Sequence, residues 1–212
     1  MRICALTDIH GRTRIDQEFA NILKNIDLTI IAGDITHFGD AEDAKRILST
    51  FKNLNSSILA VHGNCDQESV NQLLVAQGIN LHGESKVVGD TTFYGLGGSN
   101  TSPFNTFQES SNDQIETVLQ KFQKHDTRFH ILISHPPPLN TRLDKVFIGK
   151  HVGSIAVRTF IETFQPDLVV CGHIHEARGV DTIGKTIIIN PGPFPNHYAL
   201  ITIDTELRYE IF

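Results

Sequence analysis

Apolar residues in the first half of the chain alternate between short continuous runs and longer stretches with helical spacing. The continuous runs lie at 3–6, 28–32 and 58–61. Such runs are typical of strands that are buried on both faces of a parallel sheet. Stretches in which apolar residues recur every three or four positions lie at 15–26, 40–53 and 68–77. This order of strand and helix predicts a parallel sheet with right-handed crossover connections.

The second half of the chain predicts more strand and turn than helix. Gly89 and Asp90 separate two short apolar runs, which is typical of a hairpin. Helical spacing recurs at 113–124 and 154–164. Strand patterns lie at 129–133, 168–171, 177–181, 185–189, 198–203 and 207–212. The segment 96–108 has no periodicity, and loops of this length in compact domains are usually functional or mobile.

Composition and charge are those of an ordinary globular protein. The chain has 212 residues, of which 40% are hydrophobic and 20% are charged, and its formal net charge is -6. This length allows one large domain, and because no linker or repeat divides the sequence, we expect a single domain over residues 1–212. No block of Lys and Arg could follow a nucleic-acid backbone, so a nucleic-acid partner is not expected.

Cysteine usage and hydropathy bear on the compartment. The three cysteines, Cys4, Cys65 and Cys171, are too few for a disulfide framework. No apolar stretch approaches the roughly 20 residues that a membrane span needs. The chain also enters its first strand directly, without the apolar region of a signal peptide. We therefore expect a cytoplasmic protein with no membrane partner, and the sequence leaves a homo-oligomer open.

Clusters of Asp, Asn and His follow five of the predicted strands. They are Asp8-Ile9-His10, Gly33-Asp34, Gly63-Asn64-Cys65-Asp66, Ser134-His135 and Gly172-His173-Ile174-His175. Their oxygen and nitrogen donors suit divalent transition metals, and a carboxylate such as that of Asp34 can bridge two ions. The first cluster alone is equally consistent with a structural turn, and Gly33-Asp34 alone favours a turn over a metal site. Taken together, the clusters predict a site for two metal ions whose ligands are Asp8, His10, Asp34, Asn64, His135, His173 and His175.

The order of these clusters resembles the calcineurin-like metallophosphoesterases. That family carries Asp-x-His, Gly-Asp, Gly-Asn-His-Asp/Glu, a later His and Gly-His-x-His, and the resemblance here runs from Asp8 to His175. Within the family, the chain is most similar to small prokaryotic phosphoesterases related to the cyclic-nucleotide phosphodiesterase branch. The resemblance implies an α/β fold, a four-layer α/β/β/α sandwich of two mixed sheets flanked by helices. The β-rich tail would belong to the second sheet.

The resemblance also implies how the ligands divide between two sites. The first site would use Asp8, His10, Asp34 and His175, and the second would use Asp34, Asn64, His135 and His173. Two divalent ions (Mn, Fe, Zn, Ni or Co) and a hydroxide that bridges them would then hydrolyse a small phosphate ester. We therefore expect a metal-dependent phosphoric ester hydrolase, and we favour a phosphodiesterase with Asn64 and His135 among its catalytic residues.

Cys65 departs from the family pattern, because a histidine usually stands at this position, above the phosphate. A thiol is a weak hydrogen-bond donor and could not fully replace the imidazole. We include Cys65 among the catalytic candidates for its position. Two other functions stay open: a non-catalytic interaction scaffold of the same fold, and a nuclease. Retention of all seven ligand residues disfavours the scaffold, and the lack of a basic groove signal disfavours the nuclease.

Three further residues could serve the substrate. His37 follows Asp34 on the same predicted loop, Arg12 follows the first cluster, and Asn100 lies in the glycine-rich loop. For each of them an ordinary surface or structural role is at least as consistent with the sequence.

Overall fold

The computed structural model describes residues 1–55 and 57–212, and it contains the strands that the apolar runs predict. The strands of the described residues are β1 (Arg2–Leu6), β2 (Leu28–Ala32), β3 (Ile58–Val61), β4 (Ser85–Val88), β5 (Thr91–Leu96), β6 (Ser99–Asn100), β7 (Glu109–Ser110), β8 (Phe129–Ser134), β9 (Leu168–Val170), β10 (Gly179–Ile183), β11 (Thr186–Asn190), β12 (Ala199–Ile203) and β13 (Leu207–Ile211). The α-helices of the same residues are α1 (Gln17–Lys24), α2 (Ala41–Lys52), α3 (Glu68–Ala76), α4 (Asn112–Leu119) and α5 (Ile155–Phe164).

Two mixed sheets form the centre of the fold. The first has the order β13-β12-β1-β2-β3, in which β1, β2 and β3 are parallel and β12 and β13 are antiparallel to their neighbours. The second has the order β10-β11-β9-β8-β5-β4, with parallel pairing from β11 to β5 and antiparallel strands at both edges. Parallel pairing in both sheets follows from the helical crossovers that the sequence pattern predicts.

Three apolar clusters hold these layers together. Ile30 and Ile201 of the first sheet pack with Phe93 and Ile131 of the second, so the two sheets face each other across one core. A second cluster joins the first sheet to α1, α2 and α3, and a third joins the second sheet to α4 and α5. The predicted α/β/β/α sandwich of two mixed sheets is confirmed.

The tail of the chain corrects one prediction. β10 and β11 join the second sheet as expected, but β12 and β13 belong to the first, where Ile201 of β12 pairs with Ile3 of β1. The open edge of β1 accepts an antiparallel neighbour, and Ile201 and Ile203 thereby reach the core between the sheets. In addition, β10 begins at Gly179 instead of residue 177, because His175–Ala177 forms a 3₁₀ turn.

Helix boundaries follow from capping residues. The Asp40 carboxylate accepts hydrogen bonds from the backbone N–H groups of Glu42 and Asp43, and the Ser154 hydroxyl accepts one from Val157. The predicted helix 113–124 is too long, since α4 ends at Leu119. Beyond it the chain tightens into a turn with a three-residue hydrogen bond, from the N–H of Phe122 to the carbonyl of Leu119.

Parallel strands bring the predicted polar clusters to one end of the sandwich. The backbone N–H of Asp8 donates to the Gly33 carbonyl at 3.1 Å, and that of Gly172 donates to the His135 carbonyl at 3.0 Å. Clusters that lie far apart in sequence are therefore joined through the backbone. Across residues 1–55 and 57–212, none of the helices combines the length and the apolar character needed to cross a bilayer.

We expect Phe51→Ala to lower the free energy of unfolding by about 3–5 kcal/mol, because it removes a buried aromatic ring from the core beneath α2. The same replacement at Phe147, which is 90% exposed, should change it by less than about 0.5 kcal/mol. Urea denaturation measures both. Equal losses in the two variants would contradict the placement of Phe51 in the core.

Candidate metal centre

Four of the predicted ligand residues adopt left-handed backbone conformations. Their φ angles are 52° at Asp8, 46° at His10, 50° at Asp34 and 69° at His173. Asp and His are among the non-glycine residues that most often adopt this region, yet it remains uncommon for them. Such conformations persist where the surrounding structure holds them, and they concentrate at functional sites. The clusters are therefore sharp turns that redirect side chains at the ends of strands.

One half of the site joins the first, second and last clusters. His175 Nε2 lies 3.3 Å from Asp8 Oδ1 and 3.2 Å from His10 Nε2. His10 Nε2 in turn lies 3.4 Å from Asp34 Oδ2. Two carboxylates and two imidazoles thus face one another over short distances, although Asp8 and His175 are far apart in the sequence.

The other half of the site lies on the opposite oxygen of Asp34. His135 Nε2 is 3.5 Å from Asp34 Oδ1 and 3.0 Å from Asn64 Oδ1. His135 Nδ1 lies 2.8 Å from the Ala32 carbonyl. Because a carbonyl only accepts, Nδ1 carries a proton, and this bond aims Nε2 at Asn64 and Asp34.

His173 is placed differently from the other predicted ligands. Its backbone N–H donates to both carboxylate oxygens of Asp8 at 3.1 Å, and its ring centroid is 5.2 Å from that of His135. Three groups of His, Cys and Asp side chains hold donor atoms within 4.8 Å of one another. These are Asp8 with His10 and His175, His10 with Asp34 and Cys65, and Asp8 with Asp34 and His135. Within the described part of the chain, none of these groups includes the side chain of His173.

Electrostatics keeps the two carboxylates charged despite their burial. Burial alone would raise the pKa of Asp34, but the imidazoles of His135 and His10 outweigh it and hold that pKa below its usual range. Burial would likewise raise the pKa of Asp8, but the hydrogen bond with His175 helps to outweigh it, and that pKa is also lowered. Two ionised carboxylates at 0% and 2% exposure require nearby positive charge, and divalent cations would supply it.

The pKa values of the site histidines are shifted in different directions. Burial lowers the pKa of His173 to about 4 and also lowers that of His10, so both imidazoles are neutral, the form that binds metals. Burial also disfavours the charged form of His135, but the Asp34 carboxylate outweighs it and raises the pKa to about 9. A cation on His135 Nε2 would take the place of that proton.

Asp66 is buried beneath the site and supports two of its loops through hydrogen bonds. Its position in the sequence did not reveal this role. Its carboxylate accepts hydrogen bonds from the backbone N–H groups of Ile35, Thr36 and Gly63 at 3.1, 2.7 and 2.8 Å, and from the Thr36 hydroxyl at 2.8 Å. One side chain thereby joins the loop after Asp34 to the loop that carries Asn64. The conformations of both loops depend on it.

Close backbone approach explains two of the cluster glycines. A methyl group at Gly63 would overlap the carboxylate of Asp34, and one at Gly172 would overlap the Thr7 hydroxyl and the Asp8 carboxylate. Neither position has room for a larger residue while the carboxylates stay in place.

Thr106 contributes to the site from the loop without periodicity, and no sequence signal identified it. Its hydroxyl accepts a hydrogen bond from Asn64 Nδ2 at 3.0 Å, which leaves Asn64 Oδ1 turned toward His135. His37 lies beside the site, with its Nδ1 3.4 Å from His10 Nδ1.

Two other candidates are held by structural bonds. Arg12 donates to the Phe194 carbonyl at 3.1 Å, and Asn100 Nδ2 donates to the Val152 carbonyl at 3.1 Å. The first contact supports an ordinary structural role for Arg12.

Comparison with known proteins identifies the family. The model for calcineurin-like phosphoesterases matches residues 1–177. An uncharacterized protein of Methanocaldococcus jannaschii is 37% identical over 201 residues, which cover 91% of this chain and 88% of that protein.

Solved structures show the same fold at low sequence identity. A crystal structure of the Thermus thermophilus protein TT1561 superposes with a TM-score of 0.70 at 14% identity, covering 99% of this chain and 97% of that one. A structure of Vps29 from Entamoeba histolytica superposes with a TM-score of 0.51 at 15% identity, covering 100% and 98%. At these identities the likeness concerns the fold alone.

We expect Asp66→Asn to destabilise the fold by at least about 2 kcal/mol, because an amide cannot accept every hydrogen bond that the carboxylate accepts and loses their charge assistance. Manganese affinity should fall roughly 10- to 100-fold, as is typical when the supports of ligand residues are lost. Denaturation and calorimetric titration measure the two effects. The control is Asp113→Asn, at an exposed position of α4, and equal behaviour of the two variants would contradict the supporting role of Asp66.

Proposed function

We propose that this chain, which belongs to the calcineurin-like phosphoesterase family, is a metal-dependent phosphodiesterase acting on small substrates. The observation that carries the proposal is the position of Asp34. Its Oδ2 faces His10 at 3.4 Å, and its Oδ1 faces His135 at 3.5 Å. A carboxylate whose two oxygens face two different imidazoles is suited to bridge two cations.

The donor set fits such cations. Carboxylate and amide oxygens mixed with imidazole nitrogens suit manganese, iron, zinc, nickel or cobalt, whereas calcium prefers oxygen ligands alone. We propose one site at Asp8, His10, Asp34 and His175, and a second at Asp34, Asn64, His135 and His173. The assignment of His173 rests on family resemblance and on its neutral, buried ring beside His135.

The chain's own residues would orient the reacting groups. The Ala32 carbonyl holds His135 in one tautomer, and Thr106 holds the amide of Asn64. Divalent cations bound here would acidify a water and neutralise charge that develops on the phosphoryl oxygens. His37 is exposed beside His10, where a ring N–H of His37 can hydrogen-bond a phosphate oxygen.

Cys65 limits which leaving groups the site can assist. Its backbone N–H donates to Asp34 Oδ1 at 2.9 Å, and its Sγ lies 3.6 Å from Asn64 Nδ2. Burial and the Asp34 carboxylate raise the pKa of the thiol, so it stays protonated and donates only weakly. We therefore propose that good substrates carry a leaving group that departs without strong acid catalysis.

The free state of the three cysteines suits a reducing compartment, and we propose the cytoplasm as the place of action. A non-catalytic scaffold is the alternative. A panel of aryl phosphodiesters, aryl phosphomonoesters, cyclic nucleotides and single-stranded DNA, each with several metals, separates these functions. Turnover of aryl diesters supports the proposal, cleavage of DNA alone supports a nuclease, and no turnover with any metal supports the scaffold.

Manganese should bind with a stoichiometry that approaches two ions per chain. Asp34→Asn should reduce that number, because an amide has a single acceptor oxygen and cannot bridge two ions. Elemental analysis of reconstituted, desalted protein measures the stoichiometry. Binding that stops at one ion and is unaffected by Asp34→Asn would refute the bridging assignment.

Replacing either His135 or His173 by Ala should cut diester turnover by about two orders of magnitude or more, since the loss of one ion removes half of the charge stabilisation. His125→Ala is the matched control, because this histidine is exposed and lies beside Ser85 of the edge strand β4, 3.0 Å from its hydroxyl. Turnover at saturating manganese measures the effect. Wild-type turnover in His173→Ala would remove His173 from the ligand set.

Cys65→His should accelerate substrates with poor leaving groups by up to roughly 10²-fold, because an imidazole can protonate the departing oxygen. Activated aryl esters should change little. Cys65→Ala should leave aryl diester hydrolysis nearly intact, since a thiol contributes little as a donor. A large loss in Cys65→Ala, with metal content and folding unchanged, would show that the thiol itself takes part in catalysis.

A further inference from the structure

A row of rings leads outward from the candidate metal centre. The ring centroids of His10 and His37 are 5.4 Å apart, those of His37 and Phe38 are 5.1 Å apart, and those of Phe38 and Phe107 are 5.9 Å apart. The row begins beside Asp34 and ends at two large apolar side chains that are 45% and 54% exposed. We call Phe38 and Phe107 the aromatic rim.

Phe107 is fixed to the metal centre by both of its sequence neighbours. The hydroxyl of Thr106 accepts a hydrogen bond from Asn64 Nδ2 at 3.0 Å, and the backbone N–H of Gln108 donates to the Asn64 carbonyl at 3.2 Å. The carboxylate of Glu109 accepts two further bonds from Thr106, through its N–H at 2.9 Å and its hydroxyl at 2.7 Å. The exposed ring is therefore carried by a segment that is tied to a predicted metal ligand.

Phe38 is fixed from the other side of the centre. Its φ of 60° is unusual for a bulky residue. The turn is held because Gln67 Nε2 donates to the Phe38 carbonyl at 3.2 Å, and the backbone N–H of Gly39 donates to the Thr36 hydroxyl at 3.1 Å. In this turn the ring of Phe38 stays exposed and makes a T-shaped contact with the ring of Phe107.

We propose that the aromatic rim binds the planar base or aryl group of a phosphodiester whose phosphate lies at the metal centre. The inference rests on the proposed function and adds a substrate class to it, namely nucleotide-like or aryl diesters in preference to alkyl ones. Exposed aromatic faces stack on bases and aryl rings, and the stacking depends little on which base is bound. In this row only the ring of His37 lies between Phe38 and His10. One small molecule can therefore contact the aromatic rim and the metal centre together.

The test compares AMP with ribose 5-phosphate, which carries a hydroxyl in place of the base. Isothermal titration calorimetry on the manganese-loaded protein gives both dissociation constants. Stacking of one base corresponds to a roughly 5- to 150-fold gain in affinity. We expect wild-type protein to bind AMP at least about 5-fold more tightly than ribose 5-phosphate, and Phe107→Ala to abolish most of that difference without weakening ribose 5-phosphate.

Two further variants serve as a test of the second ring and as a control for the loss of an exposed phenylalanine. Phe38→Asn removes the second ring while keeping a residue that tolerates the left-handed backbone, and it should also reduce the preference for AMP. Phe104→Ala is the matched control, because Phe104 lies in the same loop at 82% exposure and, among the described residues, its ring contacts neither rim residue. It should bind both ligands like wild type.

Equal affinities of wild-type protein for the two ligands would overturn the inference, as would a Phe107→Ala variant that weakens both ligands alike. A change of oligomeric state in Phe107→Ala, with the preference for AMP retained, would make the rim a contact between copies and also overturn it. Turnover of bis(p-nitrophenyl) phosphate, measured on the same samples, reports separately on the proposed function. Turnover without a preference for AMP refutes only the rim, and a rim-dependent preference without turnover refutes only the phosphodiesterase.

Discussion

Two buried carboxylates, those of Asp8 and Asp34, constrain the whole end of the sandwich where the parallel strands finish. Charged groups withdrawn from water are costly unless they are paired and hydrogen-bonded. The chain meets this cost with backbone N–H donors, from His173 to Asp8 and from Cys65 to Asp34, and with the surrounding imidazoles. The two carboxylates and these partners together come from five separate turns, so the arrangement requires both sheets to be correctly stacked.

Some residues near the site serve to hold the predicted ligands in position. Asp66 joins two loops that carry predicted ligands through backbone hydrogen bonds, and Gly63 and Gly172 leave room for the carboxylates. The left-handed turns at Asp8 and Asp34 are strained, and this strain is balanced by the packing of the strands that precede them. A substitution at these supports should therefore alter metal binding and stability together, because both depend on the same contacts.

Much of this could be predicted from the sequence, and the omissions have physical reasons. Continuous apolar runs located β1, β2 and β3 almost to the residue, and the resemblance of the clusters predicted the sandwich. The prediction that β12 belongs to the second sheet was wrong, because an antiparallel neighbour of β1 leaves no local signal in the sequence. Thr106 and Phe107 were missed because their loop has no periodicity and is fixed by long-range bonds to Asn64.

The central claim is that Asp34 bridges two cations, one on the side of His10 and one on the side of His135. Anomalous diffraction from crystals grown with manganese tests it most directly. The account predicts two strong anomalous peaks, one next to each carboxylate oxygen of Asp34, with His175 and Asn64 at opposite ends of the pair. A single peak, or two peaks of which one lies beyond coordinating distance of the Asp34 carboxylate, would contradict it.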